Sequence, residues 1–418
     1  MFASLLNVYS LLLGMGILLA GSGLLGTLLG LRAGLEAFPQ WLIGLIMSAF
    51  FIGYVLGSYL CPMLIRRVGH IRAFVVFAAI ASVASFAHGL LVYPLLWWIL
   101  RVVVGVSVLG LYMVVESWLN ETVRQQRGQV FAIYMMISLI ALGLGQYLIL
   151  LYGPGELASF ALVAMLFCLG LIPVAMTQVS QPTQVEIPRF SFRTLYRASP
   201  VGFWGTFTSG MITGGFWGLS ALYAQSIGLS NVGIASFVSA AILGGALLQW
   251  PIGLLSDHRD RRIVLALVCI AGAVATVGIF LVAGQSLPGL LAMTVLYGGF
   301  SFSLYALCVA HTHDRADISQ VLEITRGLLL LNGIGASFGP IIGGLVMQFG
   351  SSARLPLVFG AIMVMLSLFT LYRIYTDRPV PPEERSVFVP VTRTSAMAAE
   401  LDPRSDLERE LELKPPVD

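Results

Sequence analysis

Apolar residues in this chain run on for about twenty positions at a time, and the runs are cut by short clusters of charge, proline and glycine. About twenty apolar residues in a helix cover the hydrocarbon thickness of a bilayer. Breaking the sequence at those clusters predicts twelve spanning helices, near residues 6–30, 41–64, 73–93, 95–119, 129–152 and 156–177, then 200–224, 231–255, 263–283, 287–310, 319–348 and 354–376. The expected fold class is an all-α membrane protein of two six-helix bundles, 1–177 and 200–376. A linker over 178–199 joins them, and a tail over 377–418, rich in proline and mixed charge, is expected to be disordered.

The polar breaks repeat as well. "GLLSDHRDRR" (253–262) puts Asp257 to Arg262 in one unbroken ionisable run, and "PMLIRRVGHIR" (62–72) holds the same place in the first half, 191 residues earlier. Two halves of like topology imply parallel repeats about an axis along the membrane normal, with a cavity between them. Arginine sets the orientation. Alternate loops hold Arg66, Arg67 and Arg72; Arg124 and Arg127; Arg189, Arg193 and Arg197; Arg259, Arg261 and Arg262; and Arg315. The other loops hold only Arg32 and Arg354, so the first set and both termini are expected to be cytoplasmic.

Composition narrows the class. With 58% hydrophobic and 10% charged residues and a mean hydropathy of +0.90, the chain lies outside soluble globular proteins. Its first apolar run is too long for a removable signal peptide and is read as the first span. Cys61, Cys168, Cys269 and Cys308 form no C-x-x-C pair, so structural thiols are expected, with no metal site and no cofactor. The net charge of +3 hides an acidic tail. From Asp377 on there are six basic and ten acidic residues, which leaves seventeen basic against ten acidic, a net +7, in the membrane part. Arginine excess there suits anionic lipid and gives no reason to expect nucleic acid. No Walker loop occurs, so direct use of ATP is not expected.

Polar residues inside the spans are few enough to name. Arg101 lies about two turns into the fourth span, past Trp97 and Trp98; a charge there faces a wet cavity or a partner, or snorkels to the interface. Arg101, Tyr112 and Glu116 share one stripe of that helix, with Arg101 and Glu116 about 22 Å apart along it. On the seventh span Thr206, Ser209, Thr213, Trp217 and Ser220 fall on one side, and Tyr297, Ser301, Tyr305 and Cys308 do so more weakly on the tenth. Such stripes turn from lipid towards a cavity or a neighbouring helix. Gln146 and Asn332 are lone polar candidates on the fifth and eleventh spans. Gly335, Gly339 and Gly343 recur every four residues beside Pro340, which lets another backbone come close. "HTHD" (311–314) could hold a metal or a proton, or be a solvated loop. "PRFSFRTLYR" spaces Arg189, Arg193 and Arg197 by four, the pattern of a short helix lying on the inner leaflet.

Several of these stretches resemble the major facilitator superfamily. Gly253, Leu255, Asp257, Arg261 and Arg262 fit its G-x-L-x-D-R-x-G-R-R loop; in the first half Arg67 and Gly69 fit, while Pro62 and Arg66 depart from it. "RVVVG" (101–105) resembles its fourth-helix signature, and "GASFGPIIGG" (335–344) its antiporter signature, here on the eleventh span and not the fifth. "VVESWLN", "RGQVFAIYMM" and "LLLLNGIGASFGP" resemble the YcaD-type branch of bacterial members.

The resemblance implies a bacterial inner-membrane transporter whose first, fourth, seventh and tenth helices line the path, and in which Arg101 serves proton coupling. It also implies a cytoplasmic gate of charges that closes and opens in alternating access. Asp257, Arg261 and Arg262 would meet Glu323 and Arg326, and Glu116 would face Arg66, Arg67 and Arg127, with Arg72 in the same network. The function expected is secondary transport of a small organic solute by a monomer, with proton-coupled export of a neutral or amphipathic compound ahead of metabolite uptake by symport or facilitated diffusion. A membrane-embedded enzyme built on "HTHD" and a transport-dead receptor that uses the tail are the rival classes.

Overall fold

In the computed structural model every predicted run is helical. The structure describes residues 2–122, 127–176, 191–316 and 320–381, together with Arg385, Phe388, Thr394 and Ser395, but not the side chains of 2–8, 121, 122, 127–129 and 322. The first half holds α1 (Phe2–Leu35), α2 (Gln40–Val68), α3 (His70–Leu90), α4 (Pro94–Thr122), α5 (Arg127–Tyr147) and α6 (Leu157–Ala175). A short α7 (Phe192–Ala198) precedes α8 (Pro200–Ser226), α9 (Asn231–His258), α10 (Arg261–Val282), α11 (Leu287–His313), α12 (Val321–Phe349) and α13 (Leu355–Thr376). Among the described residues eleven of the long helices are apolar enough to cross a membrane on length and composition; α8, with six glycines and six serines or threonines in 27 residues, is the twelfth long helix.

Local chemistry sets the boundaries. Ser199, Ser230 and Ser286 cap α8, α9 and α11 by accepting from Gly202 N (2.9 Å), Gly233 N (3.3 Å) and Gly289 N (3.3 Å). Gly69, at φ 83°, is the whole turn between α2 and α3, a left-handed conformation that a side chain would strain. The fifth span ends sooner than expected: α5 stops at Tyr147 and a 3₁₀ turn, Leu148–Leu150, finishes the run.

The halves repeat one packing scheme. In the first, α2 lies on α4 and α3 on α4 and α6; in the second, α9 lies on α11 and α10 on α11 and α13. Glycine brings the backbones together at matching places. A Cβ on Gly53 would come within 2.1 Å of Val102 O, and one on Gly244, 191 positions later, within 1.8 Å of Val295 O. Gly335 and Gly339 do the same for α12, lying against Phe207 O and Met211 O of α8, while Gly343 meets the side chains of Leu219 and Leu355. Between halves, α2 packs on α12 and α5 on α9, the pair that the repeat relates, with α1 against α8.

That joint closes the arginine-poor face. Gly44 meets Pro340 O, Gln40 N donates to Gln348 Oε1 (2.8 Å) and Gln40 Nε2 to Ser352 Oγ (2.8 Å). On the other pair Ser239 Oγ donates to Gly143 O (2.9 Å) and the Tyr147 hydroxyl lies 3.1 Å from Ser236 Oγ.

Candidate functional site

A cavity of about 290 Å³ lies between the halves, walled by α1, α2, α4, α5, α8, α9, α11 and α12. Its apolar lining includes Phe50, Val104, Val108, Leu139 and Phe302. Its polar groups include Ser22, Thr27, Tyr54, Arg101, Tyr112, Ser138, Thr213, Ser220, Gln249 and Asn332. The ring of Trp217 lies parallel to that of Phe302 at 6.1 Å, which gives the wall one flat aromatic face. Helices 2 and 5 and their repeat mates 9 and 12 share the wall with the four expected helices.

Arg101 is turned inward. It is 5% exposed, and its guanidinium sits 4.8 Å from the centroid of Phe50, a cation–π contact across the α2–α4 joint that Gly53 and Gly105 bring close. Its Nε is buried with no hydrogen-bond partner among the described residues. Glu116 lies at the opposite end of α4, fully buried, accepting from Tyr134 OH (2.8 Å) and from Ser395 Oγ of the tail. Tyr54 OH donates to Thr394 O, and Thr394 is itself part of the cavity lining.

The remaining sequence candidates divide. Tyr112, Thr213, Trp217 and Asn332 line the cavity; Thr213 Oγ1 donates to Ser209 O (2.6 Å) and Asn332 Nδ2 to Thr206 O (3.2 Å). Gln146 stands just behind the wall, accepting from Thr27 Oγ1 and donating to Leu142 O (3.0 Å). Thr206, Ser209, Tyr297, Ser301 and Tyr305 are buried outside that lining: Tyr297 packs on Phe216 and Phe359, and Ser301 Oγ donates to Gly298 O (3.4 Å) within its own helix. Their stripe faces helix, not lumen. Tyr54, Phe302, Gln249 and Tyr134 were not singled out by sequence. Aromatic positions in an apolar run carry no periodic signal that separates cavity wall from core.

The charged loop of the second half is a network of ion pairs. Arg261 pairs with Asp314 (2.6 Å) and Asp257 (3.2 Å), and its side chain and that of Asp314 are 1% and 2% exposed. Arg262 pairs with Asp260 (2.7 Å) and donates to the carbonyls of Arg373 (3.2 Å) and Asp377 (3.0 Å). Burial raises the pKa of Asp260, but the hydrogen bonds and charge of Arg262, with His311, outweigh it and hold the carboxyl below its ordinary value near 3.8. These carboxylates all come from the same half as the arginines.

The other expected gate charges are placed differently. Arg326 reaches across the halves to lie 5.8 Å from the Tyr59 ring centroid, and Glu323 is half-buried near it in sequence. Arg66, Arg67 and Arg72 are exposed, whereas Glu116 is sealed; Arg124, Arg189 and the side chain of Arg127 lie outside the described residues. "HTHD" is drawn into packing: His311 is buried, His313 Nε2 lies 2.8 Å from Thr325 Oγ1, and Asp314 holds Arg261. In α7, Leu195 is buried and Arg193 and Arg197 are exposed.

A model for the Major Facilitator Superfamily matches residues 11–331. The chain belongs to that superfamily. Over 380 residues it is 28% identical to the MFS-type transporter YcaD of Escherichia fergusonii, across 89% of this chain and 97% of that one. To the MFS-type transporter Ent638_1421 of Enterobacter sp. (strain 638) it is 29% identical, across 90% and 97%. Among solved structures it is similar to the nucleoside transporter NupG, with a TM-score of 0.71 at 14% identity over 89% of this chain and all of that one. A bacterial homologue of the human lysosomal transporter Spinster, inward-facing and occupied, gives 0.72 at 14% identity over 91% and 97%. The molecule is a multi-pass protein of the bacterial inner membrane with the superfamily's fold of two six-helix bundles.

Proposed function

We propose that this superfamily member is a secondary transporter that carries a small, neutral or amphipathic organic solute by alternating access. The observation that carries the reading is the cavity. It is bounded by both halves, closed at the arginine-poor face by the α2–α12 and α5–α9 joints, and lined by aromatic and aliphatic surface with a few hydroxyls, amides and one guanidinium. Its volume of about 290 Å³ matches the lower end of small-molecule sites, about 300 Å³, and its single cationic residue does not suit a highly charged cargo.

In this reading the arginine-rich face is cytoplasmic, where basic side chains also meet anionic lipid, and the chain works as a monomer. Protons are the coupling ion and export is the direction. Glu116, a sealed carboxylate that accepts from the hydroxyls of Tyr134 and Ser395, exchanges the proton, and Arg101 tunes the far end of the same helix. Solute carriage leaves no part for an enzyme's nucleophile or metal, and the histidines of "HTHD" serve packing. The parallel Trp217–Phe302 pair with Asn332 and Gln249 nearby suits a planar polar ring, so nucleosides, which NupG is named for, head the solutes to try.

The test is flux in proteoliposomes of the full chain, with solutes first ranked by the rise in melting temperature they give the purified protein. Uptake into vesicles should follow an imposed pH gradient, Glu116→Gln should lose the gradient dependence, and Arg101→Ala should lower the rate. Movement that ignores the gradient in all three proteins would remove proton coupling. A panel with no binder and no flux, in the wild type and in Phe388→Asp alike, would remove the transporter reading.

A further inference from the structure

The described residues of the tail lie against the bundles. Beyond α13 its root is fixed by Arg262 Nη1 on Asp377 O (3.0 Å) and Arg315 Nη2 on Arg378 O (2.7 Å). Arg385 then donates to Arg259 O (2.9 Å) in the charged loop. Phe388 N donates to Asp257 Oδ1 (2.9 Å), and the Phe388 ring, 8% exposed, lies on Gly253, where a Cβ would come within 2.1 Å of ring carbon Cδ1. Only glycine leaves room for that ring. Six residues of extended chain reach about 20 Å, and at Thr394 the tail forms part of the cavity wall. Tyr54 OH donates to Thr394 O, and Ser395 Oγ, with the residue 3% exposed, donates to Glu116 Oε2.

These contacts fall on both halves. Gly253, Asp257 and Arg259 belong to the second bundle, whereas Tyr54 and Glu116 belong to the first. The residues that hold it are those of the loop where a gate would close. The inner contacts give the carboxylate a hydroxyl donor and the phenol a carbonyl acceptor, groups that a peptide or a small hydroxy-amide also carries.

We propose that the tail is an intramolecular ligand of the cavity, in which Phe388 anchors in the Gly253 cradle and Thr394–Ser395 occupies the Tyr54–Glu116 end in competition with solute. The competition rests on the transport reading above; the docking does not. Tethering gives the segment an effective concentration of about millimolar, so weak contacts suffice to keep it in place and still let it leave. While docked it blocks entry from the arginine-rich face and stands between the halves, so the mouth cannot shut. Release is then a precondition for turnover, and anything that captures the tail activates the protein.

Two measurements on the full-length protein in nanodiscs test this. Hydrogen exchange of peptides covering Phe388 to Ser395 should be slower by about tenfold or more in the wild type than in Phe388→Asp. Gly253→Val, which fills the cradle, should release the tail in the same way. N-ethylmaleimide, a small neutral probe, should then alkylate a cavity thiol, Val108→Cys, about tenfold faster when Phe388→Asp is added, read at that peptide by mass spectrometry so that Cys168 does not interfere. Exchange as fast as that of a free peptide in the wild type overturns the docking. Slow exchange with equal alkylation in both proteins overturns the plug and leaves the transport reading standing. No alkylation in either protein overturns the reading of the cavity as a path, and the competition with it.

Discussion

The loops at 62–72 and 253–262 occupy the same place in the two halves and do different work. In the second, three arginines come with Asp257, Asp260 and Asp314, and Arg261 and Arg262 are buried against them and against backbone carbonyls. In the first, Arg66, Arg67 and Arg72 come without an acid in the loop and stay exposed, and Pro62 stands where the other half has Gly253. A guanidinium can be buried only where carboxylates and carbonyls neutralise and satisfy it. So one copy is a solvated cluster of arginines, and the other is a buried ion-pair network with Phe388 of the tail packed on its Gly253. Repeat-related position preserves the backbone and not the electrostatic role.

The comparison breaks first at Asp314. Asp314→Asn leaves Arg261 buried without its shortest pairing and should cost about 3–5 kcal/mol, whereas Arg66→Ala and Arg67→Ala should each stay within about 0.5 kcal/mol. Denaturant unfolding in detergent separates these; equal effects in the two loops would erase the distinction. Where the halves agree, they should fail alike. Gly53→Ala and Gly244→Ala each drive a methyl into a facing carbonyl and should destabilise by about 1–3 kcal/mol, and a large difference between them would mean the α2–α4 and α9–α11 joints are not equivalent.

The smallest effect is acid sensitivity. Because the folded-state pKa of Asp260 is depressed, its contribution to stability is present above the unfolded value near 3.8 and is lost as pH falls through the lower folded value. The wild type should therefore lose more melting temperature than Asp260→Asn between pH 5 and about pH 3. No such difference is expected for changes at the first loop.

Most of the architecture was legible because a bilayer demands long apolar runs and each break is marked by arginine, proline or glycine. The cavity was legible in part. Arg101, Tyr112, Thr213, Trp217 and Asn332 announced themselves as polar or amphipathic groups where lipid forbids them. Thr206, Ser209, Tyr297 and Ser301 gave the same signal and lie in helix–helix packing, since periodicity shows which side avoids lipid but not whether a void or a neighbour lies opposite. Tyr54 and Phe302 could not be told from core. The tail's charge and proline predict disorder, and most of it lies outside the described residues; of those described, Phe388, Thr394 and Ser395 touch the bundles. Composition counts the apolar residues a segment holds, and it does not see a receptor elsewhere in the chain.

A ribosome delivers α8 well before α12, the helix that its glycines fit, has been made. With six glycines and six hydroxyl residues, α8 has weak drive to partition into lipid alone, so it should enter late, together with its partner. A nascent chain halted before Val321 should leave a cysteine in α8 open to water-soluble thiol reagents, and the finished chain should shield it. Full shielding in the halted chain would show that α8 inserts unaided. If it does not, the order of synthesis becomes part of how the second bundle is built, and a lesion in α12 would first be felt as a failure to thread α8.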